Sequence, residues 1–224
     1  MSIFSFFKHN NSDYESMLFE NNYVSKIEFS IDLLVIADTH GELKYNKSYI
    51  NLLKKSKYDL CCILGDVTDL DYEIILKYIP IDKIVGLLGN HDRFDILDKY
   101  GIKNISGNVI HINGVSIAGI EGCFKYKNEN YPSFTHESSI RFLEGLPKVD
   151  ILLSHDKPYT KDNNDKVHDG LKGITKYLYD NKVPVNIHGH IHKNYEDKLK
   201  NGTIEKSVYG VELIRIQMDD EIYL

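Results

Sequence analysis

Five times along this chain a run of apolar residues stops abruptly at an acid, an amide or an imidazole. Leu33-Leu34-Val35-Ile36-Ala37 gives way to Asp38-Thr39-His40-Gly41, and Leu60-Cys61-Cys62-Ile63-Leu64 to Gly65-Asp66-Val67-Thr68-Asp69. Ile84-Val85-Gly86-Leu87-Leu88 runs into Gly89-Asn90-His91-Asp92, Ile151-Leu152-Leu153-Ser154 into His155, and Val185-Asn186-Ile187 into His188-Gly189-His190-Ile191-His192. Short apolar runs of this kind read as buried strands. Between them lie stretches of helical period: Tyr72, Ile75, Leu76 and Ile79 form one stripe, ended by Pro80, and further helices are expected over about 136–146 and 169–181. Val109 to Ile112 and Val115 to Ile120 read as two more strands, and extended pieces near Tyr195, Thr203 to Glu205 and Val211 to Gln217 as a closing β-meander. Such alternation is the pattern of βαβ units around a sheet, so the fold class is α/β.

The 224 residues, 42% of them hydrophobic, suffice for one sizeable core, and no linker, repeat or low-complexity tract divides them. The expectation is a single domain over 1–224, with residues 1–30 as an N-terminal extension packing on it. Phe4, Phe6 and Phe7 could instead meet a partner or membrane surface, although the apolar patch around them is too short for a signal sequence. No apolar run is long enough to span a bilayer. Three cysteines, Cys61, Cys62 and Cys123, are an odd number without secretion features, which suits reduced thiols and a cytoplasmic location. A formal charge of −6 and a pI near 5.9 argue against a large footprint on duplex DNA. A small phosphorylated substrate escapes that objection if bound cations add local positive charge. The sequence leaves a homo-oligomer open.

Open α/β sheets place their ligand sites at the carboxyl ends of strands, which is where the polar clusters fall. In an extended segment, residues i and i+2 point the same way, so Asp38 with His40, and His190 with His192, can each aim two donors at one point. Imidazole, carboxylate and amide oxygen together suit first-row divalent ions, while the absence of cysteine at these strand ends disfavours a thiolate zinc site.

The ordered series Asp38-x-His40, Gly65-Asp66-x-x-Asp69, Gly89-Asn90-His91-Asp92, His155 and Gly189-His190-x-His192 resembles the calcineurin-like metallophosphoesterase superfamily. Each motif alone is weak, and five in order are specific. The resemblance implies a four-layer α/β/β/α sandwich of two mixed sheets carrying two divalent metals, manganese first, with iron, nickel, cobalt or zinc as alternatives. It implies that Asp38, His40 and His192 bind one metal, that Asn90, His155 and His190 bind the other, and that Asp66 bridges them. A metal-bridging hydroxide would attack phosphorus, His91 would contact the phosphate or protonate the leaving oxygen, and Asp92 would orient His91. The substrates implied are phosphodiesters, nucleotide-derived ones included, or small phosphomonoesters.

Four residues are candidates for contact with substrate: Arg93, Lys125, Arg141 and His168. Each has an ordinary alternative: a salt bridge of Arg93 with Asp95 or Asp98, solvated surface charge for Lys125 and Arg141, and a loop role for His168. Asp69 either supports the metal ligands or caps the helix carrying Tyr72. His9 and His136 read as surface residues, and His188 as the end of its strand. Protein serine/threonine phosphatases of the superfamily carry Gly-Asp-x-x-Asp-Arg-Gly and Gly-Asn-His-Glu. Here Leu70-Asp71 follows Asp69, and Asp92 follows His91. A protein phosphatase and a non-catalytic scaffold of the same fold are the rival readings. The scaffold reading calls for lost ligands, and every ligand position is filled here.

Overall fold

The structure is a computed structural model that describes residues 24–160, 165 and 167–223, with side chains described from Ser30 to Gln217 apart from the gaps near 161–166. Most of the expected 1–30 extension, including His9 and Phe4, Phe6 and Phe7, lies outside the described residues. The chain divides into two units, one spanning Ser30–Ile216 and one formed by the end segments. Of the latter, the described parts are the opening of β1 (Val24–Ala37) and the close of β13 (Gly210–Tyr223), which are strand throughout.

Within 30–216, β1 is followed by a 3-10 turn (Leu43–Tyr45), α1 (Lys47–Lys55), β2 (Leu60–Ile63), α2 (Asp69–Tyr78), β3 (Ile84–Gly86), α3 (Ile96–Lys99) and β4 (Lys103–Asn104). Strands β1, β2, β3 and β4 pair in parallel, and β13 lies beside β1 at the other edge. The second half contributes β5 (Val109–Ile112), β6 (Val115–Ile120), the two-residue strands β7 (Cys123–Phe124) and β8 (Ser133–Phe134), α4 (His136–Glu144), β9 (Ile151–Ser154), α5 (Lys172–Asn181), β10 (Val185–His188), β11 (Tyr195–Lys198) and β12 (Ile204–Ser207). These build a six-stranded sheet in the order β11-β12-β10-β9-β6-β5, with β5 and β11 antiparallel at the edges.

Alternation along each strand sorts the core into layers. Leu34, Ile36, Cys61 and Ile63 join Leu53, Tyr72 and Ile75 of α1 and α2 on one outer side, and Ala118, Ile120 and Leu152 join Leu143, Ile174 and Leu178 of α4 and α5 on the other. The opposite faces of the strands meet each other: a Cβ at Gly119 would lie 2.6 Å from Leu87 Cδ2, so β6 packs directly against the segment after β3. This is the α/β/β/α sandwich the motifs imply.

Three local expectations need correction. The first is an omission, α1, which the sequence reading did not name and whose N-terminus is capped by the Asn46 side chain accepting from the amides of Ser48 and Tyr49. The closing strands are not a meander: β12 runs parallel to β10 in the second sheet, whereas β13 crosses to the first. His136 is half-buried, stacked on Phe124 with ring centroids 4.4 Å apart. The three cysteines are buried and free. Among the described residues no helix is long and apolar enough to cross a membrane.

Candidate metal centre

The five polar clusters converge where the two sheets face each other. Their backbone differs from expectation, because Asp38, His40, Asp66, His190 and His192 have φ of 52°, 45°, 56°, 66° and 52°. The paired donors thus meet through left-handed turns, not through extended segments. Non-glycine residues in this region cost about 1–2 kcal/mol each, so five at one place mark a site whose geometry the rest of the fold holds. The turns are knitted together by Asp38 N donating to Gly65 O and His40 N to Asp66 O, both at 3.1 Å, and His190 N to Asp38 Oδ2 at 2.7 Å. Gly65, at φ 97°, lies so close to Gly89 that a Cβ would sit 2.2 Å from its amide nitrogen, and a Cβ on Gly89 would sit 2.2 Å from Asp66 Oδ1.

Two groups of donors result. Asp38, His40 and His192 offer one set of ligand atoms within 4.8 Å of one another, and Asp66, His155 and His190 another. His40 Nε2 and His192 Nε2 face each other at 3.2 Å. His155 Nδ1 donates to Leu64 O at 2.7 Å, which leaves Nε2 as an acceptor 2.9 Å from Asn90 Oδ1. His190 Nε2 donates to Val167 O at 3.3 Å, leaving Nδ1 as its acceptor. Asp66 Oδ2 lies between the groups, 3.7 Å from both His40 Nε2 and His155 Nε2.

The electrostatics favour cations here. Asp38 Oδ1 and Asp66 Oδ2 are buried with no hydrogen-bond partner among the described residues. Burial, reinforced by Asp66, pushes the Asp38 carboxyl up to about 8. Burial also pulls His190 down to about 4 and lowers His155 and His192, which favours the neutral imidazole that can ligate a metal. Crowded acceptors and unpartnered carboxylate oxygens are costly by themselves and complementary to divalent cations. The residues present therefore fit two such ions.

Asp92 plays a different part from the one expected. Its carboxylate accepts from the amides of Gly89 at 2.7 Å, Asp66 at 2.9 Å and Val67 at 3.2 Å, and no hydrogen bond joins it to the His91 ring among the described residues. It clamps the two loops that carry Asp66 and Asn90. His91 is exposed, its amide anchored to Asp66 Oδ1 at 2.8 Å and its ring centroid 5.5 Å from that of His40. With Arg93, it borders a cleft of about 200 Å³ that also reaches His40 and Asp66.

The substrate candidates separate. Arg93 is ion-paired with Asp69 and Asp95, at 2.9 and 3.0 Å. The His168 ring centroid stands 4.9 Å from that of His190, with Nδ1 bonded to Asp165 at 2.7 Å, so His168 does reach the site. Lys125 and Arg141 are exposed and make no side-chain hydrogen bond or ion pair among the described residues, Arg141 from the helix layer over the second sheet. Asp69 neither caps α2 nor touches the centre; Lys99, Tyr100 and Arg93 hold its carboxyl down to about 2. With a folded value below the ordinary 3.8, its contribution is complete above that pH and lost as pH falls through about 2. The Tm deficit of Asp69→Asn near neutral pH is therefore expected to vanish by about pH 2 in thermal scans; a deficit that persists there refutes the assignment.

Two supports escaped the sequence reading. Asp71, fully buried, accepts from the Thr39 hydroxyl and the amides of Gly41 and Leu43, gripping the turn that carries His40. Its place three residues after Thr68 at a helix start was the available signal. His188, also buried, lies 3.1 Å from Glu205 Oε1 and 2.9 Å from Gly189 O behind the His190 turn.

Residues 31–194 match the profile of a family described as calcineurin-like phosphoesterase. The chain belongs to that family. No curated protein matches it. Among solved structures it is similar to TT1561 of Thermus thermophilus, at 12% identity and a TM-score of 0.58, covering 83% of this chain and 97% of that one. It is also similar to the phosphopantetheinyl hydrolase of Mycobacterium tuberculosis, at 15% identity and TM-score 0.57, with 80% and 89% covered. The 5′-nucleotidase of Candida albicans matches at 11% identity and TM-score 0.51, with 80% of this chain and 45% of that chain covered. At such identities the likeness is one of fold alone.

Proposed function

We propose that this calcineurin-like phosphoesterase hydrolyses small phosphodiesters, nucleotide-derived ones included, or phosphomonoesters with two divalent cations. The observation that carries the reading is Asp66 Oδ2, buried, without a hydrogen-bond partner among the described residues, and 3.7 Å from an imidazole nitrogen of each donor group, His40 and His155. Asp38, His40 and His192 would hold one cation, Asn90, His155 and His190 the other, with Asp66 shared. Such a pair supplies an acidified water and charge neutralisation for the phosphoryl oxygens.

The chain's own groups do the rest. His91 stands exposed at the mouth of the cleft with its backbone tied to Asp66, placing an imidazole where a departing oxygen can take its proton. His168, braced through its Nδ1–H by Asp165, flanks the centre beside His190, and in its imidazolium form would present Nε2–H to a phosphoryl oxygen there. Arg93 holds its guanidinium in the wall of the same cleft, where the field of the pair with Asp69 and Asp95 tempers its charge.

Protein purified without chelators and reconstituted with manganese should hydrolyse bis-nitrophenyl phosphate or nitrophenyl phosphate. Inertness toward both, with two metals bound per chain, would sink the proposal. His91→Gln should lower kcat by about a hundredfold with metal content unchanged, because general acid catalysis contributes roughly 10²–10⁴. Undiminished turnover would remove His91 from that role.

A further inference from the structure

A second and larger cavity, of about 610 Å³, opens on the Asp38 side of the centre and has no part in the roles assigned so far. Its volume falls within the roughly 300–1,000 Å³ of small-molecule sites. Asp38 and Thr39 form its inner end, and Tyr45, Tyr49 and Tyr209 its walls. Tyr209 stacks on His192, ring centroids 5.1 Å apart and planes 24° from parallel, so the cavity wall lies one ring away from the donor group itself. Tyr45 is 76% exposed, the most exposed of the large apolar or aromatic side chains among the described residues. Tyr49 is seated by a glycine: a Cβ at Gly210 would lie 2.2 Å from the Tyr49 hydroxyl. Glu42, Lys47 and Ser48 add donors and acceptors at the rim.

Scattered surface aromatics need no explanation. Three tyrosines gathered on one cavity, continuous with a candidate phosphoester centre and edged by polar groups, do. We infer that this cavity seats a planar heteroaromatic group, a nucleobase, carried on the phosphoester whose phosphorus lies at the metal centre; the second half of that statement rests on the phosphoesterase reading above. Aromatic faces stack on any base, and the polar rim supplies partners for ring edges.

The test uses the full chain and two arms. In equilibrium dialysis, adenosine should bind and ribose should not, and Tyr45→Ala and Tyr209→Leu should each weaken adenosine by about tenfold. Because Tyr209 also touches His192, Tyr45→Ala, at an exposed position, is the deciding variant, with its Tm checked against wild type. In the hydrolysis arm, the ratio of kcat/KM for adenosine monophosphate to that for glycerol 2-phosphate should fall about tenfold in the same variants. Adenosine binding no better than ribose, or adenosine affinity in Tyr45→Ala within about twofold of wild type, overturns the assignment. Both esters cleaved with the ratio unmoved also overturns it while the phosphoesterase reading stands. Tyrosine-dependent adenosine binding without cleavage of either ester supports the cavity's role and removes that reading.

Discussion

Asp66→Asn is expected to lower kcat/KM by at least about a thousandfold, equivalent to roughly 4 kcal/mol of barrier, without destabilising the fold. In the wild type, Oδ1 accepts the His91 amide at 2.8 Å while Oδ2 faces His40 and His155 with no donor. An asparagine that keeps the first bond through its carbonyl turns its NH₂ toward the two imidazoles. That group donates where the centre calls for an acceptor, so the position between the donor groups loses its affinity for cations. The same change removes a buried charge, which is costly when unpaired. Metal-free Asp66→Asn should therefore melt at or above the wild-type temperature. Adding manganese at about 100 times its Kd should stabilise the wild type by roughly 2.7 kcal/mol, and the variant by far less. Differential scanning with and without the ion reads this independently of turnover. Activity within tenfold of wild type, or an undiminished thermal shift, would show that the carboxylate is not shared between the groups.

What the sequence made legible was whatever depends on local pattern. Apolar runs such as Leu33–Ala37 and Ile151–Ser154 located the strands, and the polar residues directly after them are those that converge in the candidate centre, because strand ends in an α/β sheet are close in space whatever the loops do. The partnership of distant segments was not legible. Nothing local in Val211–Gln217 says that it leaves the sheet of β12 to lie beside β1. Nor does a triplet such as Asp38-Thr39-His40 announce left-handed backbone at both ends; glycine would advertise it, but aspartate and histidine adopt it only because neighbouring loops hold them there. Asp92 was misread for a related reason. Adjacency to His91 suggested a side-chain partner, while the carboxylate turns inward to three amides from two loops. α1 was overlooked because Tyr49, Ile50 and Leu53 lie in a short polar stretch whose helical face is narrow.

The turn that carries His40 is where support and chemistry meet, and Asp71→Ala should show it. The Asp71 carboxylate, 0% exposed, accepts from Thr39 Oγ1 at 2.8 Å, Gly41 N at 2.6 Å, Leu43 N at 3.2 Å, and both the amide and hydroxyl of Thr68 at 3.3 and 3.0 Å. Truncation leaves these donors facing a cavity, and each buried donor without a partner costs about 1–3 kcal/mol before relaxation. Because the bonds share one acceptor group they are not additive, so the total should be near 4 kcal/mol. For a chain of this size, that corresponds to a fall in Tm of roughly 8–16 °C. Asp71→Asn retains one oxygen. Placed at Oδ2, where four of the five donors gather, that oxygen should recover about half of the loss. The second consequence is chemical: with the turn released, nothing compels the left-handed φ of 45° at His40, and metal affinity should drop by about 10- to 100-fold even at temperatures where the chain stays folded. A loss of Tm with metal affinity intact would confine Asp71 to holding the fold. A variant as stable as wild type would mean that the Thr39–Leu43 turn is held by its neighbours, the bonds to Gly65 O and Asp66 O, without this carboxylate.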